Sequence, residues 1–150
     1  NDFPEIETKE FITKVCKWGN YPGIATRVIN NNHFESIQNA FENALEEISN
    51  NNIESALTSI NQLNGLGKPS FASKHLRFLN PENCPVYDNV LNCYLPYPYN
   101  PCGYSLFASD CKKIARSLEQ LTQQNPFERN QNRWFAADVE AALFYYFKEQ

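Results

Sequence analysis

Two glycines in the middle of the chain have a spacing that could bind a phosphate. The sequence reads Leu63-Asn64-Gly65-Leu66-Gly67-Lys68 where one apolar helical pattern ends and another begins. Gly65 and Gly67 allow a tight turn, which exposes backbone amides at a helix N-terminus that suit a phosphate, or carbonyl groups that can face a monovalent cation. A plain connection between two helices is the alternative interpretation of this glycine turn.

An aspartate follows the glycine turn, beyond one predicted helix and a polar turn. Asp88 comes after Pro85-Val86-Tyr87 and before an apolar segment that indicates a new helix. An aspartate at a helix start accepts backbone N–H groups as an N-cap. Asp88 is therefore a predicted N-cap.

Basic side chains lie close to the glycine turn. Lys68, Lys74, His75 and Arg77 fall within ten residues and could form a local basic face. Lys68, His75 and Arg77 are candidate phosphate ligands, and we expect His75 to be solvated or to face a phosphate. Together with the two glycines, these residues form the predicted phosphate-binding set.

The glycine turn and the segment Pro85-Val86-Tyr87-Asp88-Asn89-Val90 resemble the helix-hairpin-helix superfamily of DNA glycosylases, over residues 63–95. That superfamily includes the 8-oxoguanine, endonuclease III and adenine-mismatch enzymes, and the chain looks most like bacterial proteins with an 8-oxoguanine DNA glycosylase fold. Its members carry a hairpin of the form L-P-G-V-G, and their catalytic aspartate heads the next helix. The resemblance therefore implies that Asp88 stabilises the transition state and that Gly65 and Gly67 hold a DNA phosphate.

The resemblance implies a hydrolase that releases a damaged or mismatched base from DNA. Bifunctional members of the family place a Schiff-base lysine two residues after the second glycine, and Pro69 occupies that position here. A proline nitrogen within a chain cannot form an imine. We therefore expect a monofunctional enzyme, unless Lys68 or Lys74 substitutes for the missing lysine.

A catalytically inactive module on the same fold, binding nucleic acid or a protein partner, is the alternative function. The net charge of −4 favours the protein partner, because phosphate binding depends mainly on Lys and Arg. No apolar run approaches the ~18 residues that a membrane span needs, so we expect no membrane and a cytoplasmic location.

The five cysteines do not form the close pairs that zinc and iron–sulfur sites use. Buried or free thiols are the favoured interpretation, while disulfides and a metal site stay open as alternatives. The sequence indicates no metal site and no cofactor.

An all-α fold is predicted for the chain, as a single compact helical domain over residues 1–150 with a central helix-hairpin-helix. Apolar residues recur at helical spacing in several segments: 8–18, 34–49, 53–63, 69–79, from about 88, 104–123 and 134–147. We expect loops at 20–32, with at most a short turn at 24–29, and at 125–132. The asparagine runs are interpreted as solvated loop residues.

Two aromatic segments remain to be interpreted. The Tyr- and Pro-rich segment 94–104 is expected to pack over the core, although its rings could instead stack on a flipped base. Trp134 is expected to pack, with Asp138 and Glu140 facing outward or pairing with Arg133.

Overall fold

The structure is a computed structural model that describes residues 3–127 and 130–150, and within these ranges it contains helices and no strand. The all-helical prediction is thus confirmed at the level of fold class. Part of the loop predicted at 125–132 lies outside the described residues. In chain order the α-helices are α1 Glu5–Trp18, α2 Pro22–Asn31, α3 Phe34–Ser49, α4 Ile53–Asn61, α5 Pro69–Leu79, α6 Asn89–Tyr94, α7 Pro101–Gln120 and α8 Ala136–Lys148.

The prediction of a loop at 20–32 was wrong, because most of this segment forms α2. Pro22 stands at the first helical position, where a missing N–H costs nothing and the fixed φ suits the helix. Ala25 and Val28 are buried and hold the helix against the rest of the molecule. The asparagines that follow mark only the end of the helix.

The core forms around α4, which packs against α3, α5 and α7. Large buried side chains from these helices, such as Phe41, Leu57, Leu76 and Phe107, are nearly inaccessible to solvent. Removing such apolar area from water is the main favourable contribution to folding. Helices α3, α4 and α7 therefore form a scaffold that holds α5 against α4 and α8 against α7.

The Tyr- and Pro-rich segment before α7 packs over this core, as expected. The rings of Tyr97 and Tyr99 lie 6.4 and 5.6 Å from the ring of Tyr87. The Tyr87 hydroxyl donates to the backbone carbonyl of Tyr97 at 2.7 Å. Asn100 then caps α7 by accepting from the amide of Gly103 at 2.9 Å.

The glycine turn, residues 62–68, connects α4 to α5. Gly65 has a positive φ of 101°, and a Cβ at this position would lie 3.0 Å from Val28 Cγ2. Gly67 has no positive φ, and its Cβ would meet only the Asn61 carbonyl oxygen, at 3.8 Å. We expected a positive φ or a close backbone approach at Gly67, and this expectation was wrong, because Gly65 carries both constraints.

Candidate active site

A cleft of about 680 Å³ lies between the end of α1, the start of α5, the segment 86–90 and α8. Aromatic side chains line part of its wall: Trp18, Tyr21, Phe71, Phe144 and Tyr145. Four charged side chains also line it and are buried or half-buried: Lys74, Arg77, Asp88 and Glu140. We call these four residues the charged cluster. Two of its members, Lys74 and Asp88, were predicted as catalytic residues.

Lys74 is the predicted nucleophile that reaches this cleft. It is 7% exposed, its Nζ donates to Ser70 Oγ at 3.1 Å, and the same nitrogen lies 4.8 Å from the centre of the Phe71 ring. Burial lowers the pKa of Lys74, and the nearby Asp88 and Glu140 partly oppose this effect. A lysine with a lowered pKa supplies more free amine at neutral pH, which is the form that acts as a nucleophile.

A glycine at the end of α1 makes room for this lysine. A Cβ on Gly19 would lie 2.8 Å from the ring of Phe71 and 3.1 Å from Lys74 Cδ. Because real side chains avoid such distances, only glycine lets the α1 backbone cover Lys74 so closely. The close approach explains how a residue on the first turns of α5 becomes buried without lying in the core. Sequence analysis did not single out Gly19.

Asp88 is the N-cap of α6, as predicted. Its Oδ1 accepts from the amides of Val90 and Leu91 at 3.0 and 3.2 Å. Since Oδ1 takes both bonds, Oδ2 is left without a hydrogen-bond partner among the described residues. One carboxylate can therefore cap the helix and still offer an oxygen to a positive charge in the cleft.

Glu140 is a member of the cluster that the sequence analysis misjudged. It was expected to face outward or to pair with Arg133, but it is 5% exposed and lines the cleft. Its Oε2 accepts from the Val86 amide at 3.4 Å. Burial raises the pKa of Glu140 to about 7, although Arg77 opposes this rise.

Asp138 and Arg133, near the start of α8, also differ from expectation, whereas Trp134 packs against the core as expected. Asp138 is buried and accepts from the amide of Phe135 at 2.9 Å and from Asn125 Nδ2 at 3.0 Å, so it holds the helix start in place. Arg133 pairs with Glu82 instead. Helix α8 begins at Ala136, so Glu140 lies about one turn inside it. The apolar periodicity of this helix does not indicate that an acidic residue is buried at this position.

Arg77 completes the charged cluster. Its Nε lies 3.8 Å from Glu140 Oε2, and its guanidinium lies 5.1 Å from the Trp18 ring and 6.0 Å from the Phe78 ring. These contacts hold Arg77 along the cleft. Its predicted part in DNA binding stays a prediction, now with a defined location beside Lys74.

Lys68 lies at a different place from Lys74. It is exposed, it is the N-cap residue of α5, and it does not line the cleft. If Asn61 is oriented with its amide nitrogen toward the turn, it donates to the carbonyls of Leu66 at 2.8 Å and Lys68 at 3.3 Å. These two carbonyls then have partners within the protein, which leaves them less suited to a monovalent cation.

The glycine turn is fixed to the end of α2 by asparagines, so these residues are more than solvated loop residues. The Asn64 amide donates to Asn32 Oδ1 at 3.0 Å, and Asn32 Nδ2 donates back to the Asn64 carbonyl at 3.1 Å. Asn64 Nδ2 also donates to the Asn31 carbonyl at 3.0 Å. Arg27, exposed on the same helix, has its side chain beside Gly65. Sequence analysis missed this basic neighbour because the contact joins residues far apart in the chain.

His75 is in the core, so the expectation that it is solvated or faces a phosphate was wrong. It is 0% exposed, its Nδ1 lies 2.6 Å from the Phe71 carbonyl oxygen, and the rings of Phe11 and Phe41 lie 5.8 and 5.9 Å away. Burial lowers the pKa of His75 to about 4. On α5 it points away from the side on which Lys74 reaches the cleft, as expected for neighbouring helix positions about 100° apart.

The cysteines are not paired with one another. All five thiols are free, with Cys16, Cys84 and Cys111 buried. Among the described residues, no group of His, Cys, Asp or Glu is arranged to hold a metal ion. In the same part of the chain, no helix has the length and apolar character for crossing a membrane.

Comparison with protein-family models, with curated proteins and with solved structures gave no match for this chain.

Proposed function

We propose that the chain is a DNA glycosylase of the helix-hairpin-helix type, which releases a damaged or mismatched base and uses Lys74 as its nucleophile. The observation that carries the proposal is the burial of Lys74, on the helix that follows the glycine turn, in one cleft with Asp88. The cleft thus holds an amine and a carboxylate, the two groups that cleavage at C1′ of a deoxyribose requires.

The reaction follows from these two groups. The free amine of Lys74 attacks C1′, the C1′–N bond breaks, and its electron pair leaves with the base, which takes up a proton. The Asp88 carboxylate stabilises the positive charge that develops on the sugar. Ring opening then gives an imine between Lys74 and C1′, from which the strand can be cut. Lys74 would thus supply the amine that Pro69 cannot, and the enzyme would be bifunctional.

The surroundings of the cleft suit a flipped nucleotide. Its aromatic wall offers surfaces on which a base can stack once it has left the duplex. The glycine turn, with exposed Lys68 and Arg27 beside it, is the candidate contact with the DNA backbone. We propose that the helix pair α4 and α5 is the helix-hairpin-helix element itself.

Borohydride trapping tests the proposal directly, because it reduces an imine to a stable amine. Wild type, Lys74→Ala and the matched variant Lys68→Ala are incubated with duplexes that carry an abasic site, 8-oxoguanine, uracil, hypoxanthine or 3-methyladenine. At protein concentrations that saturate the DNA, which offset a weaker backbone contact, we expect a covalent adduct and base release with wild type and Lys68→Ala, and neither with folded Lys74→Ala. If the adduct is lost in Lys68→Ala instead, the nucleophile is Lys68 and the assignment to Lys74 is wrong. No base release and no adduct on any duplex would favour the alternative, a binding module on the same fold.

A further inference from the structure

Glu140 is a buried carboxylate that the proposed function leaves without a role. It belongs to α8, far in sequence from the glycine turn and Asp88, yet it lines the same cleft at 5% exposure. An ionised carboxylate that only filled space at such a position would be unfavourable. Its place beside Lys74 therefore calls for a chemical explanation.

Polar and charged groups from several elements surround Glu140. The Val86 amide donates to its Oε2 at 3.4 Å, and Arg77 Nε lies 3.8 Å from the same oxygen. Lys74 on α5 and Asp88 before α6 also interact with it electrostatically. From α7 it faces Tyr104 and Cys111, whose pKa values are raised by burial, so both stay neutral near pH 7.

The charged cluster is balanced when all of its members are ionised, with two cations and two anions. Arg77 cannot give up its proton in a protein. Asp88 Oδ1 already accepts from the amides of Val90 and Leu91, so only Oδ2 is left to face the cleft. A proton that leaves Lys74 can therefore go to Glu140 without changing the net charge of the buried cluster.

We propose that Glu140 is the internal acid–base partner of Lys74, taking the proton of its ammonium group through a water molecule of the shared cleft before attack and returning a proton to the departing base. This inference rests on the proposed function. In the first step the Lys74 N–H bond breaks, the water relays the proton, and a Glu140 O–H bond forms, which gives a free amine and a neutral carboxylic acid. In the second step the amine bonds to C1′, the C1′–N bond breaks, and the electron pair on the base nitrogen takes the proton of Glu140.

The mechanism separates base release from attack on a preformed abasic site. An abasic sugar has no base to protonate, so only the first transfer is needed there, and the lower pKa expected for Lys74 in Glu140→Gln offsets the loss of that step. For Glu140→Gln on 8-oxoguanine opposite cytosine, we expect base release to fall by at least about 100-fold, the usual range for acid–base catalysis. Trapping on an abasic duplex should change by less than about 10-fold, which is far below that range. The matched control is Glu149→Gln, an exposed residue at the end of the same helix.

A conservative substitution at the same position controls for a folding defect. Glu140→Asp keeps a titratable carboxyl group and should retain more base release than Glu140→Gln, with circular dichroism confirming that both variants are folded. If base release and abasic trapping fall by the same factor in both variants, Glu140 has only a structural role and the inference is overturned.

A measurement without DNA completes the test. In protein labelled with ¹³C-lysine, the Lys74 signal is identified by its loss in Lys74→Ala and titrated in wild type and in Glu140→Gln. We expect a lower Lys74 pKa in Glu140→Gln, because the ammonium loses an anionic neighbour. An unchanged Lys74 titration overturns the inference.

The two proposals fail in distinguishable ways. If wild type neither releases a base nor forms an adduct, the proposed function fails and the catalytic role of Glu140 fails with it. If wild type acts and Glu140→Gln acts equally well, the inference alone is overturned.

Discussion

Arg77 Nε lies 3.8 Å from Glu140 Oε2, and this ion pair joins α5 to α8 across the cleft. The two side chains are 21% and 6% exposed, so water screens the pair only in part. Because the pair connects the helix of the candidate nucleophile to the helix of a buried acid, it fixes the geometry of the cleft as well as its charge.

Loss of Arg77 should destabilise the protein in a pH-dependent way. In Arg77→Gln the pKa of Glu140 rises further above its unfolded value, because the opposing guanidinium is gone. A raised folded-state pKa contributes stability below the unfolded pKa that is lost as pH rises through the folded pKa. We expect a loss of about 2 kcal/mol in the free energy of unfolding at about pH 8, and a smaller loss at about pH 6.

Urea titration at both pH values measures this difference. Arg133→Gln removes an exposed ion pair with Glu82 and serves as the control, for which a small loss that is equal at both pH values is expected. The same loss at both pH values in Arg77→Gln would show that Glu140 does not respond to Arg77.

Replacing Asp88 by Asn separates its cap from its charge. Asn is as good an N-cap as Asp, so the free energy of unfolding should change by less than about 0.5 kcal/mol, whereas Asp88→Ala should cost about 1 kcal/mol. Base release by Asp88→Asn should fall by about 100-fold or more, because the developing charge on the sugar loses its carboxylate. Thermal unfolding and single-turnover base release are the two measurements. Full activity in Asp88→Asn would leave Asp88 as a cap alone.

The two glycines of the turn should respond differently to alanine. Gly65→Ala places a Cβ at a φ of 101° and 3.0 Å from Val28 Cγ2, so a loss of about 1–2 kcal/mol in the free energy of unfolding is expected. Gly67→Ala meets only the Asn61 carbonyl oxygen at 3.8 Å and should leave stability within about 0.5 kcal/mol.

DNA affinity then reports whether a phosphate approaches Gly67. If the DNA backbone lies against this residue, Gly67→Ala weakens binding to an abasic duplex, while the melting temperature of the protein variant stays unchanged. Unchanged affinity in that variant would mean that the turn is an ordinary connection between two helices.

Acid should unfold the protein partly through His75. Its folded pKa of about 4 lies below the ordinary value of 6.5, so the unfolded chain binds the proton more readily. The associated stability is present above the unfolded pKa and is lost as pH falls through the folded pKa, to a total of about 3 kcal/mol. Glu140 acts in the opposite sense between its ordinary value of 4.5 and about 7.

Variants distinguish these opposed contributions. His75→Asn lowers the stability overall but should flatten its decline from about pH 6.5 to about pH 4, relative to the exposed control His33→Asn. The free energy of unfolding in urea across this range is the measurement. An equally steep decline in His75→Asn would assign the acid sensitivity to other groups.

Local patterns of residues were enough to predict most of the helices and the N-cap at Asp88. Apolar residues at three- and four-residue spacing predicted α1, α3, α4 and α5, because each helix buries one face and such a face is written locally in the chain. Asp88 was predicted as an N-cap for the same reason, since a cap bonds amides two or three residues away. The segment of α2 was not predicted as a helix, because its proline and asparagines are typical of a loop and its buried face is short.

Only the tertiary structure decided which polar residues meet. His75 and Lys74 are neighbours in sequence, yet one enters the core and the other the cleft, because adjacent positions on a helix point about 100° apart. Glu140 joins the charged cluster only because α8 packs where it does, and Lys74 is covered only because Gly19 lets the end of α1 come close. Burial and charge pairing depend on residues distant in the chain, and no local pattern encodes them.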